Sequence, residues 1–263
     1  MVAVGADPSR VAILDNFCWG NTDRPEVLGS LVRAAEACRD LALAYGLPFI
    51  SGKDSLNNEF HAGSRHLTIP PTLLISALGR VPDVRRCVSM DLKEPGNRLF
   101  LVGVTRNEMG GSHYLLVNGL AGGAPPQVDV ELAPRLFRKL HQVIRDGLVR
   151  ACHDLSEGGL AVAVAEMAFA GGVGADLTGL AATAPGEPDD VLLYSESTTR
   201  FIVEVTPGNE EAFRASFGRD VPLFLIGQTC AETRLRIAGV NGAWVIEAAL
   251  ADLKVAWQQP LRW

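Results

Sequence analysis

The sequence predicts an α+β fold of mixed α/β layers. Segments with the three-to-four-residue periodicity of an amphipathic helix alternate with short apolar runs of strand character. Several of those runs follow one another with no helix between, which suits mixed layers better than a purely parallel sheet. The length, 263 residues, allows one large domain or two ordinary ones. A turn-rich stretch from Val81 to Pro95 offers a boundary between them.

In chain order, Val11 to Leu14 reads as a buried strand, followed by a polar, aromatic-rich loop from Asp15 to Pro25. A helix follows from Glu26 to Tyr45, because Leu28, Leu31, Val32, Ala35, Cys38 and Ala42 recur on one face; Gly46 ends it. Leu47 to Ile50 is a short strand leading into the loop Ser51-Gly52-Lys53-Asp54-Ser55. Residues 57–70 form an exposed hairpin or loop, and Thr72 to Leu78 is a strand. Leu99 to Val104 opens a second unit, with loops at Gly110 to His113 and Gly119 to Pro126. A helix from Leu132 to Asp146 carries Leu136, Leu140, Val143 and Ile144 on one face and is closed by Gly147. Leu148 to Cys152 is a strand; His153 to Gly159 then opens a helix that runs to Ala170 and stops at Gly171-Gly172. Residues 181–190 are a polar loop. Phe201 to Val205, Leu223 to Ile226, Arg234 to Ala238 and Trp244 to Ile246 are strands, with a short helix from Asn209 to Phe217.

Composition narrows the function. Apolar residues make up 48% and charged residues 21%, values of a folded chain. The balance of 24 Lys+Arg against 30 Asp+Glu gives a net charge of −6, which argues against nucleic acid and anionic membranes as partners. An anionic small molecule remains compatible, since a few local cations or a helix N-terminus hold a phosphate. No run approaches a membrane-spanning length, and Met1 to Asp7 lacks the basic start of a signal peptide, so a cytoplasmic location is expected. The five cysteines are scattered and never paired as C-x-x-C, the pattern of reduced thiols. The five histidines likewise offer no metal-ligand spacing. A strand only ten residues in has few residues before it to supply neighbours, so the chain is expected to begin inside a larger unit.

Five loops could carry chemistry. Gly52-Lys53 tempts a phosphate-loop reading, but five residues separate Gly46 from Gly52 and Asp54 follows Lys53, so that motif is excluded. What remains is a glycine, a cation, a carboxylate and a hydroxyl, able to hold phosphate with Mg²⁺ or to form a solvated turn. In His153-Asp154-Leu155-Ser156-Glu157-Gly158-Gly159, a strand end meets two glycines that begin a helix, an arrangement that can bind an anion bridged to a cation on Asp154. The alternative makes Ser156 an N-cap with Glu157 in the first turn. Asp15-Asn16 lies beside Phe17 and Trp19, whose default place is the core. Tyr194 to Arg200 is a polar run before a strand, with a solvated loop and a weak Glu–Arg pair as its plain reading. Gly110-Gly111-Ser112 can be a simple turn, and no nucleophile stands out.

Taken in order, Asp15-Asn16-Phe17-Cys18-Trp19-Gly20-Asn21, Gly52-Lys53-Asp54-Ser55-Leu56, Gly110-Gly111-Ser112, His153 to Leu160 and Ser195-Glu196-Ser197 before Arg200 resemble the phosphoribosylformylglycinamidine synthase family. That family belongs with aminoimidazole ribonucleotide synthetase, selenophosphate synthetase and thiamine-phosphate kinase. The resemblance implies two copies of a two-domain unit. Residues 1–80 would be part of the second barrel-forming N-type domain and 92–263 the complete second C-type domain. The implied reaction converts formylglycinamide ribonucleotide to its amidine with ATP and glutamine-derived ammonia. The family's catalytic histidines lie in the first copy, so no catalytic residue is assigned and the isolated chain is expected to be inactive.

Carried over by motif, Asp15 and Gly52 sit at an ATP site shared with the absent half, and Ser55 faces substrate. Small-form members carry a metal-binding Asn after that glycine. Lys53 stands there instead, as in the long-chain form, and is a phosphate partner. Asp154 is a metal ligand, and Glu196 with Ser197 belongs to a pseudo-symmetric auxiliary site. The cofactors implied are ATP and Mg²⁺. The partners implied are an N-terminal synthetase portion and, in a short-form system, a glutaminase subunit and a small accessory subunit; a homodimer is compatible. The alternatives are a non-catalytic nucleotide-binding scaffold, or another ATP-dependent kinase or synthetase of the superfamily.

Overall fold

The structure, a computed structural model, describes residues 1–262 and divides into two compact units. One is Ala6–Pro82; the other is Met1–Gly5 together with everything from Asp83 on. Both mix helices with strands, the architecture the alternating pattern predicts.

In the first unit, β1 (Val11–Trp19), α1 (Pro25–Tyr45), β2 (Phe49–Leu56), β3 (Glu59–Ala62), β4 (Arg65–Thr68) and β5 (Thr72–Gly79) follow in order. β1 is the centre of a three-stranded sheet, parallel to β2 and antiparallel to β5. The parallel pair needs a long crossover, which α1 provides. Pro25 starts that helix and Gly46, at φ 66°, ends it. Two segments read as loops are strand: β1 runs on through Asp15 to Trp19, and β2 runs through Gly52-Lys53-Asp54-Ser55. Their polar residues stand in a sheet whose faces are only partly covered, so they lack the continuous apolar character of a buried strand.

Side chains paired across a sheet share a face. Ile13, Asp15, Phe17 and Trp19 therefore face one way with Gly52 and Ile75, whereas Asn16, Cys18, Lys53, Ser55, Leu74 and Leu78 face the other. Phe17 and Trp19 are buried, and the Trp19 indole donates to Ser30 Oγ at 2.9 Å, fixing α1 on the first face. No residue of α1 is fully buried, and Leu74 and Leu78, 60% and 67% exposed, leave the second face open.

The larger unit contains β6 (Arg98–Val102), α2 (His113–Val117), α3 (Leu132–Arg145), β7 (Ala151–Asp154), α4 (Gly159–Gly171), β8 (Gly174–Leu177), α5 (Asp189–Tyr194), β9 (Phe201–Val205), α6 (Glu210–Phe217), β10 (Leu223–Cys230), β11 (Arg234–Ala238), β12 (Trp244–Ala249) and α7 (Leu250–Gln258). Its strands form one mixed sheet in the order β12-β11-β8-β10-β6-β9-β7. Alternation divides the core. Leu99, Leu101, Ile202 and Ala151 pack toward α4, while Phe100, Val102, Val203 and Cys152 pack toward α3 and α6. With both faces covered, β6 and β9 read as continuous apolar runs. The sequence does not single out α2, β8, α5 or α7, all short elements. All five cysteines are free, and among the described residues no helix is long and apolar enough to cross a membrane.

One polar residue breaks the apolar run of β9. Glu204 is fully buried and accepts hydrogen bonds from Lys93 N (2.9 Å), Glu94 N (3.3 Å) and Asn97 Nδ2 (2.6 Å). It ties the segment entering β6 to the sheet. Glu204→Ala orphans these donors at about 1–3 kcal/mol for each buried one, so a loss of about 3 kcal/mol or more is expected in urea unfolding. Glu204→Gln, which keeps an acceptor, should lose less. A loss below about 1 kcal/mol for the alanine variant would show that Glu204 is not the tie.

Candidate functional site

The sequence-derived residues fall in two places, one in each unit. In the first unit, the parallel register sets Asp15 beside Gly52, Asn16 beside Lys53 and Cys18 beside Ser55. The Asp15 carboxylate lies across the backbone of Gly52, where any Cβ would collide with it. Glycine at 52 therefore lets a carboxylate cross a neighbouring strand. Asp15 also lies near α1, where burial and then the charge of Asp15 raise the Cys38 thiol above its ordinary range. Lys53 and Ser55 project from the opposite, open face, and the Lys53 ammonium donates to Ser55 Oγ. The sheet thus divides the four residues between its faces, Asp15 with Gly52 and Lys53 with Ser55.

In the larger unit, β7 delivers His153 toward α4 and ends at Asp154. His153 bonds Glu166 of α4 through Nε2 at 2.9 Å and lies 3.5 Å from Asp154 through Nδ1. Burial disfavours its charge, but the hydrogen bonds to Asp154 and Glu166 outweigh that and hold the imidazole above the usual histidine range. Chiefly through its bond to His153, Asp154 is held down to about 2. Trp257 of α7 donates to the other Glu166 oxygen at 2.9 Å. These groups, with His113, Ser156 and Glu157, line a cleft of about 480 Å³.

The start of α4 differs from its sequence reading. Ser156 is not the N-cap; it donates to Asp154 Oδ2 at 3.1 Å, and Gly158, at φ 78°, caps the helix. The next residue, Gly159, is also left-handed, and a Cβ there would press on the carbonyl of Ser195 at 2.6 Å. An anion does occupy this helix terminus, and it is the protein's own. Glu196 Oε1 accepts from Gly158 N at 2.8 Å and from His113 N at 2.9 Å.

The run from Tyr194 to Arg200 is not a solvated loop. Ser195, Ser197 and Arg200 are buried, and Arg200 donates to the carbonyls of Ser195 and Ser197 and to Thr105 Oγ1, not to Glu196. Ser197 bonds the backbone of Arg106 and the Ser195 hydroxyl, with its side chain turned into the core. Of the auxiliary pair, Glu196 alone reaches the helix terminus.

Two of the histidines that show no ligand spacing along the chain meet in space. His61 and His66 are direct cross-strand partners in the β3–β4 hairpin, with Glu59 beside them. A five-residue separation looks inert until a two-residue turn folds it back on itself.

Comparison with known proteins places the chain. The family description "AIR synthase related protein, C-terminal domain" matches residues 94–240. Phosphoribosylformylglycinamidine synthase subunit PurL of Deinococcus radiodurans is 37% identical over 271 residues, an alignment covering 100% of this chain and 35% of the relative. The same subunit of Thermomicrobium roseum is 39% identical over 228 residues, 86% of this chain and 30% of the relative. The chain therefore spans about a third of the length of the curated relatives it matches. Among solved structures, Thermotoga maritima PurL complexed with FGAR has a TM-score of 0.73 at 18% identity, covering 96% of this chain and 40% of that one. The same protein is also solved with ADP and with ATP.

The His153 network predicts a pH dependence. A folded-state pKa above the unfolded value of about 6.5 makes the histidine's contribution complete below that pH and lost as pH rises through the folded value. Asp154, lowered to about 2, contributes above the unfolded aspartate range and loses its share as pH falls toward that value. In urea unfolding, the stability gap between the native chain and His153→Gln should be wider at about pH 5.5 than at about pH 8.5. A gap independent of pH would contradict the network.

Proposed function

The chain belongs to the family of AIR synthase related proteins, and on that premise we propose that it is the C-terminal portion of a formylglycinamidine ribonucleotide synthetase. In this reading it supplies part of the ATP and substrate site of an enzyme that converts formylglycinamide ribonucleotide to the amidine with glutamine-derived ammonia. The observation that carries the proposal is 37% identity to a phosphoribosylformylglycinamidine synthase subunit along the whole chain. The two-unit division and the extent of the family match, residues 94–240, support an N-type portion followed by a C-type domain.

The chain's own residues suit such a role. Lys53 presents an ammonium on an open face beside the Ser55 hydroxyl, a pair able to hold phosphate oxygens next to substrate. Gly52 keeps the Asp15 carboxylate across β2 on the helix-facing side, where the proposal gives it the ATP-side role. At Asp154 the nearby oxygens of Ser156 and Glu157 are the hard donors Mg²⁺ takes, but the His153 ring competes for the same carboxylate. Mg²⁺ bound there would neutralise phosphate charge. Phosphoryl activation of an amide depends on positioning and charge neutralisation, so these groups act by holding and orienting. The partners are the N-terminal synthetase portion and a glutaminase, in a cytoplasmic complex.

The test is reconstitution. This chain, mixed with an N-terminal synthetase portion and glutaminase, should give ATP- and glutamine-dependent amidine formation, and the chain alone should give none. Gly52→Ala, which displaces Asp15, should lower kcat/KM about 100-fold. A well-folded complex without activity would overturn the proposal. Separately, Asp154→Ala should weaken Mg·ADP binding in calorimetry while far-UV circular dichroism shows the fold retained, the lost bonds to His153 and Ser156 lowering its melting temperature. Unchanged binding with a stability loss of about 1 kcal/mol would leave Asp154 a loop residue only.

A further inference from the structure

The β3–β4 hairpin carries groups that the synthetase reading does not use. Its turn is two residues long, and Gly63 at φ 58° occupies the first position, the place a type II′ turn gives to glycine. That turn fixes the register Glu59↔Thr68, His61↔His66. Residues paired across strands, and residues two apart along one strand, share a face. Glu59, His61, His66 and Thr68 therefore stand together on one side of the ribbon.

The cluster is organised in two tiers. Glu59 is nearly buried, and its Oε1 is held by Asn21 N at 2.7 Å, by Thr68 Oγ1 at 3.2 Å and by the Arg24 guanidinium. Its second oxygen is thereby aimed at His66 Nε2, 2.7 Å away. The His61 ring lies over His66, centroids 4.2 Å apart and planes within 2°. Among the described residues His61 is held by this stacking and offers a ring nitrogen as a ligand atom.

We propose that Glu59, His61 and His66 form a surface site for one divalent transition-metal ion of the Zn²⁺ class. Two imidazoles and one carboxylate are a ligand set that Zn²⁺ takes, with the remaining position left to water. The three ligand atoms lie within 4.8 Å of one another. Tetrahedral coordination at Zn–N and Zn–O distances of about 2 Å brings ligand atoms to roughly 3.3 Å, a closure within reach of the exposed His61 and His66 side chains. The bonds to Asn21, Arg24 and Thr68 supply the outer partners that orient a metal-binding carboxylate. The bound ion would cross-link β3 to β4 and, through Glu59, hold the hairpin to the β1–α1 connection.

The test titrates the metal-free full chain with Zn²⁺ alone, followed by calorimetry, and with Co²⁺, followed by its visible spectrum. One equivalent should bind, the Co²⁺ complex should lack a thiolate charge-transfer band, and Zn²⁺ should raise the melting temperature. His61→Ala should weaken binding at least about 100-fold and abolish that rise while leaving the metal-free melting temperature unchanged. His66→Ala, which also breaks a bond to Glu59, serves as a second variant with far-UV circular dichroism as its folding control. Wild-type affinity in His61→Ala, a thiolate band, or the absence of saturable Zn²⁺ binding would each overturn the proposal.

Discussion

A guanidinium shut away from water organises the larger unit. Arg200 is 1% exposed, immediately before strand β9, which lies beside the edge strand β7. Burial pulls it down to about 10, so it remains charged at neutral pH. A cation at that depth costs several kcal/mol unless every donor is matched. The match comes from the Ser195 and Ser197 carbonyls and the Thr105 hydroxyl, while Glu108 and Glu196 contribute favourable charge from further off. The preceding loop must bend to offer those carbonyls, and Thr199 adopts a left-handed φ of 60°, a strained state for a β-branched residue. The same bend turns Glu196 away from the core and onto the start of α4. The helix terminus, the cleft beside it and the loop from Thr105 to Ser112 all take their positions from this one satisfied charge.

The two candidate places share a construction. In each, a carboxylate is laid against backbone beside a glycine, at Gly52 because a Cβ would strike the carboxylate itself and at Gly158 and Gly159 because a Cβ would strike Val162 and the Ser195 carbonyl. Asp15 crosses β2 at Gly52, and Glu196 meets the amide of Gly158 beside Gly159. An acid fixed by main-chain geometry keeps its position without a long side chain having to be ordered, which lowers the entropic cost of presenting charge.

Legibility followed coverage. Phe201–Val205 was readable to the residue from an apolar run broken only by Glu204, and Arg234–Ala238 from the alternation of Arg234 and Arg236 with Leu235 and Ile237. The helix Leu132–Arg145 was readable from its stripe and its closing glycine. The polar halves of β1 and β2 were not, since a strand with a partly open face has no hydrophobic pattern to declare it. Arg200 was misread for a chemical reason: its acceptors are carbonyls, invisible in a sequence, whereas the neighbouring Glu196 suggested a surface ion pair. Asp15, Gly52, Lys53 and Ser55 were singled out by order and resemblance, but their division between two faces depends on strand alternation that a loop reading hides. The pairing of His61 with His66 was not legible because spacing was read along the chain and not across a turn.

The open face of the small sheet changes how this protein must unfold. The larger unit has apolar clusters on both faces of its sheet, so its folding free energy is its own. Residues 6–82 leave Leu74 and Leu78 in water and α1 without one fully buried residue. A body that covers that face binds the folded state of the small unit and not its unfolded state, which adds a free energy of RT ln(1 + [L]/Kd) to this unit alone. Heating would therefore register two events rather than one: a transition of the small unit that moves with the concentration of whatever covers it, and a transition of the larger unit that does not.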